Sequence, residues 1–213
     1  PKFANTTFSQ WFKRNSDNKV SEATAEHKVV IFPDAYTDYI WPDAGKAAVK
    51  VLQEAGVYVE MAEGVTRSGR PANSKGFPDK VKPWAEQNVA ALAPKVEEGF
   101  DILFIEPSDS VMFQHDYLSY LDGEDVEKVA EHSHEVMEYV NQKRLAENLS
   151  FKPVDEKLAY QPNCNEEAMQ LDEHAPNALA EAGYEMAPLD TSCCGMAGSF
   201  GYEDEHYEIS KAL

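Results

Sequence analysis

The run Val29-Val30-Ile31-Phe32 ends abruptly at Pro33-Asp34, and this constrains the fold more than any other feature of the sequence. Four consecutive apolar residues leave no polar face, so the segment reads as a strand buried on both sides in a parallel sheet. The rest of the first 150 residues follows the same logic. Ala44 to Ala55 carries apolar residues at helical spacing and meets Gly56, a suitable C-cap. Val57 to Met61 reads as the next strand, Trp84 to Glu97 as a helix, and Phe100 to Ile105 as a third strand. Asp125 to Glu147 reads as one long amphipathic helix. Strands alternating with helices predict an α/β fold in which parallel sheets are flanked by helices. Residues 1–27 read as a lead-in. In it, Phe8, Trp11 and Phe12 are ready to pack against something, and the polar stretch from Asn15 to Glu26 forms a flexible linker.

The chain then repeats itself. Lys28-Val-Val-Ile-Phe-Pro33-Asp34-Ala35 aligns with Lys157-Leu-Ala-Tyr-Gln-Pro162-Asn163-Cys164, and Glu54-Ala55-Gly56 with Glu181-Ala182-Gly183. Met61 and Met186 fall at matching places, and Arg67-Ser68-Gly69 is set against Cys193-Cys194-Gly195. The expected organisation is therefore two similar lobes, 28–150 and 151–213. The first has a third strand ending at Glu106-Pro107-Ser108-Asp109. The second ends at Leu213 before any counterpart of it, which reads as a truncated lobe of a longer protein.

Only three cysteines occur among 213 residues, and only the second lobe holds them. Cys193 and Cys194 are adjacent in Thr191-Ser192-Cys193-Cys194-Gly195-Met196-Ala197-Gly198, and Cys164 stands at the end of a predicted strand. Thiolates are soft ligands for iron–sulfur clusters and zinc. Adjacent cysteines on a Gly-rich turn can aim both sulfurs at one point. Three thiols do not make a disulfide framework, so a reduced, cytoplasmic setting with thiolate ligation is expected. The plainer reading of Cys193-Cys194 is two small buried residues on a turn, and of Cys164 a core residue. Gly195 and Gly198 are suited to positive φ or close approach to a bound group, or are ordinary loop glycines. His206 is either an outer partner of the ligands or an exposed helical histidine. His132 and His134 read as part of a solvated helix face. Trp41, Trp84 and Phe113 read as core or interface residues.

Charge limits the partners. Thirty-eight acidic residues against 19 basic ones give a formal net charge of −19, which argues against nucleic acid or an anionic membrane surface as a partner. The acids are dispersed along the chain, which suits a protein working in concentrated salt and predicts a halophilic source; an ordinary acidic protein is the alternative. No run of 18 apolar residues predicts a transmembrane helix, and no charged-then-apolar leader is visible. Gly64-Val-Thr-Arg-Ser-Gly69-Arg-Pro has the look of a phosphate loop but lacks its Gly-Lys-Ser/Thr core.

The stretch from Asp190 to Ser210, centred on Cys-Cys-Gly-Met-Ala-Gly, resembles the signature of the cysteine-rich CCG domain. That domain occurs in a subunit of heterodisulfide reductase, in glycolate oxidase iron–sulfur subunits and in a subunit of anaerobic glycerol-3-phosphate dehydrogenase. The likeness is greatest to fused FAD-linked oxidases of the D-lactate dehydrogenase type, and Ser74-Lys75-Gly76-Phe77, Asn88 to Pro94 and Glu106-Pro107-Ser108 share it. The resemblance implies an electron-transfer module of an FAD-dependent 2-hydroxyacid dehydrogenase, not a chain that turns over substrate alone. It implies an iron–sulfur cluster, or zinc, on Cys164, Cys193 and Cys194, with Gly195, Gly198 and His206 around it. FAD belongs in a domain outside this chain, and flavin and ferredoxin-like domains are the implied partners, in the cytoplasm or peripheral to a membrane. A non-redox or zinc-binding docking lobe is the alternative. Lobe one departs from the pattern. Ala35, Arg67, Ser68 and Asp109 stand where ligands are expected, and an Arg67–Asp109 pair is expected to fill the place of a lost cluster.

Overall fold

The computed structural model describes residues 2–15, 17–152, 155–187, 189, 193–198 and 200–213. Asp190, Thr191, Ser192 and Ser199 of the cysteine-bearing stretch lie outside the described residues. In chain order the elements are α1 (Phe8–Asn15), β1 (Lys28–Ile31), α2 (Ala35–Tyr39), α3 (Pro42–Glu54), β2 (Tyr58–Met61), α4 (Arg70–Ser74) and α5 (Pro78–Glu97). There follow β3 (Asp101–Phe104), α6 (Pro107–Gln114), α7 (Glu124–Glu131), β4 (Ser133–Glu135) and α8 (Val136–Gln142). The remainder is β5 (Lys157–Ala159), α9 (Cys164–Ala168), α10 (His174–Glu181), β6 (Glu185–Ala187) and α11 (Tyr207–Ala212).

Parallel pairing organises both sheets. The first has the order β2-β1-β3-β4 with every neighbour parallel, and the second pairs β5 with β6. The apolar runs explain the layers. Val30, Phe32, Ile102 and Phe104 pack on one face with α5, α6 and α7, where Phe113 and Tyr117 are fully buried. Val29, Ile31 and Leu103 point the other way, into a cluster with Phe8, Phe12, Leu52 and Tyr139 from α1, α3 and α8. Strands buried on both faces need continuous apolar sequence, which β1 and β3 have. Burying each large side chain contributes about 1.5–3 kcal/mol relative to leaving it exposed.

The lead-in belongs to the core. Phe8 is 0% exposed, and a Cβ on Gly45 of α3 would lie 2.8 Å from its ring, so a side chain at 45 would force α1 off α3. The linker after α1 is pinned as well. The Asn18 side chain accepts the Val59 N–H at 2.8 Å and donates to the Val59 carbonyl at 2.9 Å, so it stands in for a neighbouring strand on the edge of β2. The expectation of a free linker is corrected on this point.

The long helix expected over Asp125 to Glu147 is replaced by α7, β4 and α8. β4 pairs in parallel with β3, from Ile102↔Ser133 to Phe104↔Glu135. Tertiary pairing overrides a continuous helical pattern here, helped by Glu135. One oxygen of its carboxyl group accepts the N–H groups of Met137 at 2.6 Å and Glu138 at 3.0 Å, while Glu138 accepts from Glu135, a complete capping box that restarts the chain as α8. His134 therefore lies on a strand with its side chain mostly covered, not on a solvated helix face. The second sheet is held to the first by α10, whose Ala178 joins the cluster containing Tyr139 and whose His174 Nδ1 lies 2.9 Å from Asn141 Oδ1. No described helix is long and apolar enough to cross a membrane.

Candidate functional site

The carboxyl ends of both sheets open into one cleft of about 2980 Å³. In the order β2-β1-β3-β4, the chain reverses direction of progress between β1 and β3, and open α/β sheets gather ligands at that crevice. The loops after β1, β2, β3, β5 and β6 all contribute to the lining, and Cys164, Cys193 and Cys194 are on it. All three are free thiols and solvent-exposed.

Local chemistry places each sulfur. Asn163 caps α9 by accepting the Asn165 N–H at 2.9 Å, and Glu166 returns the bond to the Asn163 N–H at 2.8 Å. Cys164 is then the first residue of the helix. Ala35 occupies the same place in α2, behind Asp34, whose Oδ1 accepts the Thr37 N–H at 2.8 Å. The aligned residues thus sit at equivalent points of two strand–Asx–helix units. Cys193 Sγ accepts the Gly195 N–H at 3.4 Å. Gly195 and Gly198 have φ of 77° and 71°, which a side chain would strain. His206 stacks on Phe200 with centroids 3.7 Å apart and its Nδ1 is 3.2 Å from Glu203. Among the described residues, the ligand atoms of Glu203, Glu205 and His206 gather within 4.8 Å, and the three sulfurs do not form such a group.

The wall around Arg67, Ser68 and Asp109 is built differently from expectation. Asp109 is bonded by the Ser68 hydroxyl, and the Arg67 guanidinium lies over Trp84 at 4.9 Å, so the expected Arg67–Asp109 pair is replaced by Ser68–Asp109 and Arg67–Trp84. Burial pushes the Asp109 carboxyl up to about 7 against the opposing Ser68 bond, with Asp34 and Glu106 adding repulsion. Asp34 is 1% exposed, and burial raises its pKa too, although the Thr37 bonds work against the rise. Its Oδ2 has no hydrogen-bond partner among the described residues. Phe113 is core as expected, Trp84 is half-buried in the cleft wall, and Trp41, 70% exposed, stands on the rim.

Sequence reading missed the device that holds the loop after β2. Asn88 is fully buried in α5. Its Oδ1 accepts the Thr66 N–H at 2.7 Å, and its Nδ2 donates to the Arg67 carbonyl at 3.1 Å and to the Tyr117 hydroxyl at 2.8 Å. Tyr117 donates onward to the Ser68 carbonyl at 2.7 Å. The available signal was a polar residue on the stripe Val81, Ala85, Val89, Leu92. Asn88→Ala leaves the part-buried Thr66 N–H and Arg67 carbonyl and the buried Tyr117 hydroxyl without this partner and is expected to cost about 2–3 kcal/mol, read from the urea midpoint.

No family model matches this chain, and no solved structure matches it significantly. Among curated proteins, it is 26% identical over 216 residues to a subunit of the anaerobic glycerol-3-phosphate dehydrogenase of Escherichia coli strain K12, covering 100% of this chain and 54% of that protein. It is 25% identical over 181 residues to "Lactate utilization protein A 2" of Bacillus cereus strain Q1, covering 81% of this chain and 73% of that protein. It is 25% identical over 179 residues to "Lactate utilization protein A" of Shouchella clausii, with the same coverage. The chain thus spans about half the length of the glycerol-3-phosphate dehydrogenase subunit.

Proposed function

We propose that this chain is the thiolate-bearing electron-transfer module of a multi-component dehydrogenase for a small hydroxylated substrate, a 2-hydroxyacid of the lactate or glycolate type. The observation that carries the reading is the arrival of Cys164, Cys193 and Cys194 on one cleft from two different loops. Relatives named for a dehydrogenase subunit and for lactate utilization support the class. Residues 28–150 and 151–213 are read as two CCG-like lobes. Ala35 and Cys164 sitting at equivalent helix starts, and the parallel pairs β1–β2 and β5–β6, support the duplication.

The donor set fits an iron–sulfur cluster: three soft, solvent-reachable sulfurs, one already receiving a backbone N–H. A tetrahedral zinc site would draw the sulfurs to about 3.8 Å of one another, from bonds of about 2.3 Å. The three do not all lie within 4.8 Å, and a cluster tolerates the wider spread. A bound cluster would accept and release single electrons. The chain's part is to hold the sulfurs, to supply the Gly195 N–H to the Cys193 sulfur, and to stack His206 and Phe200 beside the loop. FAD and ferredoxin-like domains are read as lying outside this chain, in the cytoplasm or at a membrane surface.

Anaerobic reconstitution with ferrous iron and sulfide tests the assignment. The chain is expected to turn brown, retain iron through desalting and give a paramagnetic signal on reduction. Cys164→Ser, Cys193→Ser and Cys194→Ser are each expected to lose most of the iron. A colourless protein that retains zinc and no iron would overturn the redox reading in favour of a docking lobe.

A further inference from the structure

Thiols form only part of the cleft lining. The loop from Thr66 to Gly69 and the first turns of α5 form another, and no role assigned so far uses its charges. Arg67, Arg70, Lys75 and Lys80 all reach this stretch of wall. Two of the four are neutralised: Arg70 by Asp116 at 2.8 Å and Lys75 by Glu203 at 3.2 Å. Arg67 and Lys80 make no ion pair with any described residue. Instead each lies over an aromatic ring, Arg67 over Trp84 at 4.9 Å and Lys80 over Phe77 at 5.1 Å.

This is unexpected in a chain where acids outnumber bases 38 to 19. A guanidinium held over an indole keeps its charge and its N–H donors, and the planar fork can match an oxyanion in a bidentate way. Asn88 and Tyr117 bind the backbone of Thr66, Arg67 and Ser68 in succession, so the loop carrying Arg67 is fixed before any ligand arrives. Lys80 lies one helical turn before Trp84 on the same face of α5 and adds a second positive charge.

We propose that Arg67, seated on Trp84 and assisted by Lys80, is a binding site for the carboxylate or phosphate group of a small anionic ligand that enters the cleft. An acidic macromolecule is the poorer occupant. A net charge of −19 repels it over long range, whereas at about 0.1 M salt, where the screening length is about 10 Å, a small anion feels mainly the nearest charges. The site needs no iron, so its failure leaves the redox reading standing, and loss of the redox reading leaves this one standing.

The test is a titration of the full chain with inorganic phosphate and, separately, oxalate, at ionic strength held constant with KCl. The readout is the indole N–H resonance of Trp84, assigned through Trp84→Phe. A saturable shift is expected with at least one anion, at an affinity no weaker than about 1 mM, and which anion responds identifies the ligand group. Arg67→Gln should weaken it at least about tenfold, the loss of a charge-assisted hydrogen bond. Arg67→Lys should restore only part of the affinity, Lys80→Gln should weaken it less, and Lys13→Gln on α1 should leave it unchanged. Unaltered melting of Arg67→Gln shows that the fold is intact. No saturable shift with either anion overturns the proposal, as does an equal shift in Arg67→Gln. Saturable binding of a polyglutamate peptide where both small anions fail overturns it in favour of an acidic partner.

Discussion

Glu135→Gln is expected to stabilise the protein at about pH 8 by several kcal/mol and to flatten its stability between pH 5 and 8. Glu135 is 5% exposed at the end of β4, and burial pushes its carboxyl up to about 8 from an ordinary 4.5. The N–H groups of Glu138 and Met137 favour the charged form, but the carboxylates of Glu166 and Glu138 oppose it. With the folded pKa above the unfolded one, the native state holds a proton that the unfolded chain releases between pH 4.5 and about 8. Stability from this group is present below pH 4.5, falls as pH rises through that window, and is gone above about 8. At about 1.4 kcal/mol per pH unit, the window spans roughly 5 kcal/mol at most. Asp109, pushed up to about 7, acts with the same sign. Wild type should therefore be more stable near pH 5 than near pH 8. A glutamine at this position would keep an acceptor for both amides of α8 without a charge to bury. Urea unfolding of both proteins at the two pH values checks this. A variant less stable than wild type near pH 8, or one with an undiminished pH slope, sinks the account.

The elements that were legible in sequence are those whose burial is written in apolar residues. β1 and β3 are apolar on both faces because both faces are covered, and α3 carries its stripe and its closing glycine. β4 was illegible because Ser133-His134-Glu135 has no apolar residue. Its existence rests on pairing with β3, on a Ser133 hydroxyl bonded to the Val129 carbonyl, and on a glutamate cap. α5 begins at Pro78, six residues before the expected Trp84: Pro78 takes the first helical position, where a missing N–H is tolerated, and Pro83 lies inside the helix without ending it. The cysteines were legible because thiols are few and clustered. The lobe-one wall was only half legible. Arg67, Ser68 and Asp109 were identified by alignment, but their partners were not, because cation–ring contacts and a buried asparagine clamp depend on what α5 and α6 place beside them. Opposite charge alone suggested Arg67 with Asp109. The fold puts Asp109 at the start of α6 against Ser68 and turns Arg67 outward onto Trp84.

Salt should act on the whole molecule, and the direction of its effect tests the proposed halophilic source. A charge of −19 on 213 residues produces mutual repulsion that a screening length of about 30 Å at 0.01 M leaves in force. At molar KCl that length falls to about 3 Å, less than the spacing of most neighbouring carboxylates. Several of the ion pairs that salt would weaken are exposed, such as Lys19–Glu54 and Lys157–Glu185, and exposed pairs contribute about 0–1 kcal/mol each. Relief of repulsion therefore outweighs their loss. With about 2–4 °C of melting temperature per kcal/mol for a chain of this size, a rise of about 10 °C from 0.01 M to molar KCl is expected. Salt also strengthens apolar burial, so an uncharged osmolyte serves as the control: sucrose at matched osmolality should raise the melting temperature much less. The cleft gives a second, opposite reading in the same experiment. Chloride competes for Arg67, so the fold should tighten with KCl while anion binding weakens, a divergence that a general improvement in folding would not produce. A melting temperature that is flat or falling with KCl would remove the halophilic reading and leave the acidic surface to be explained by a basic partner.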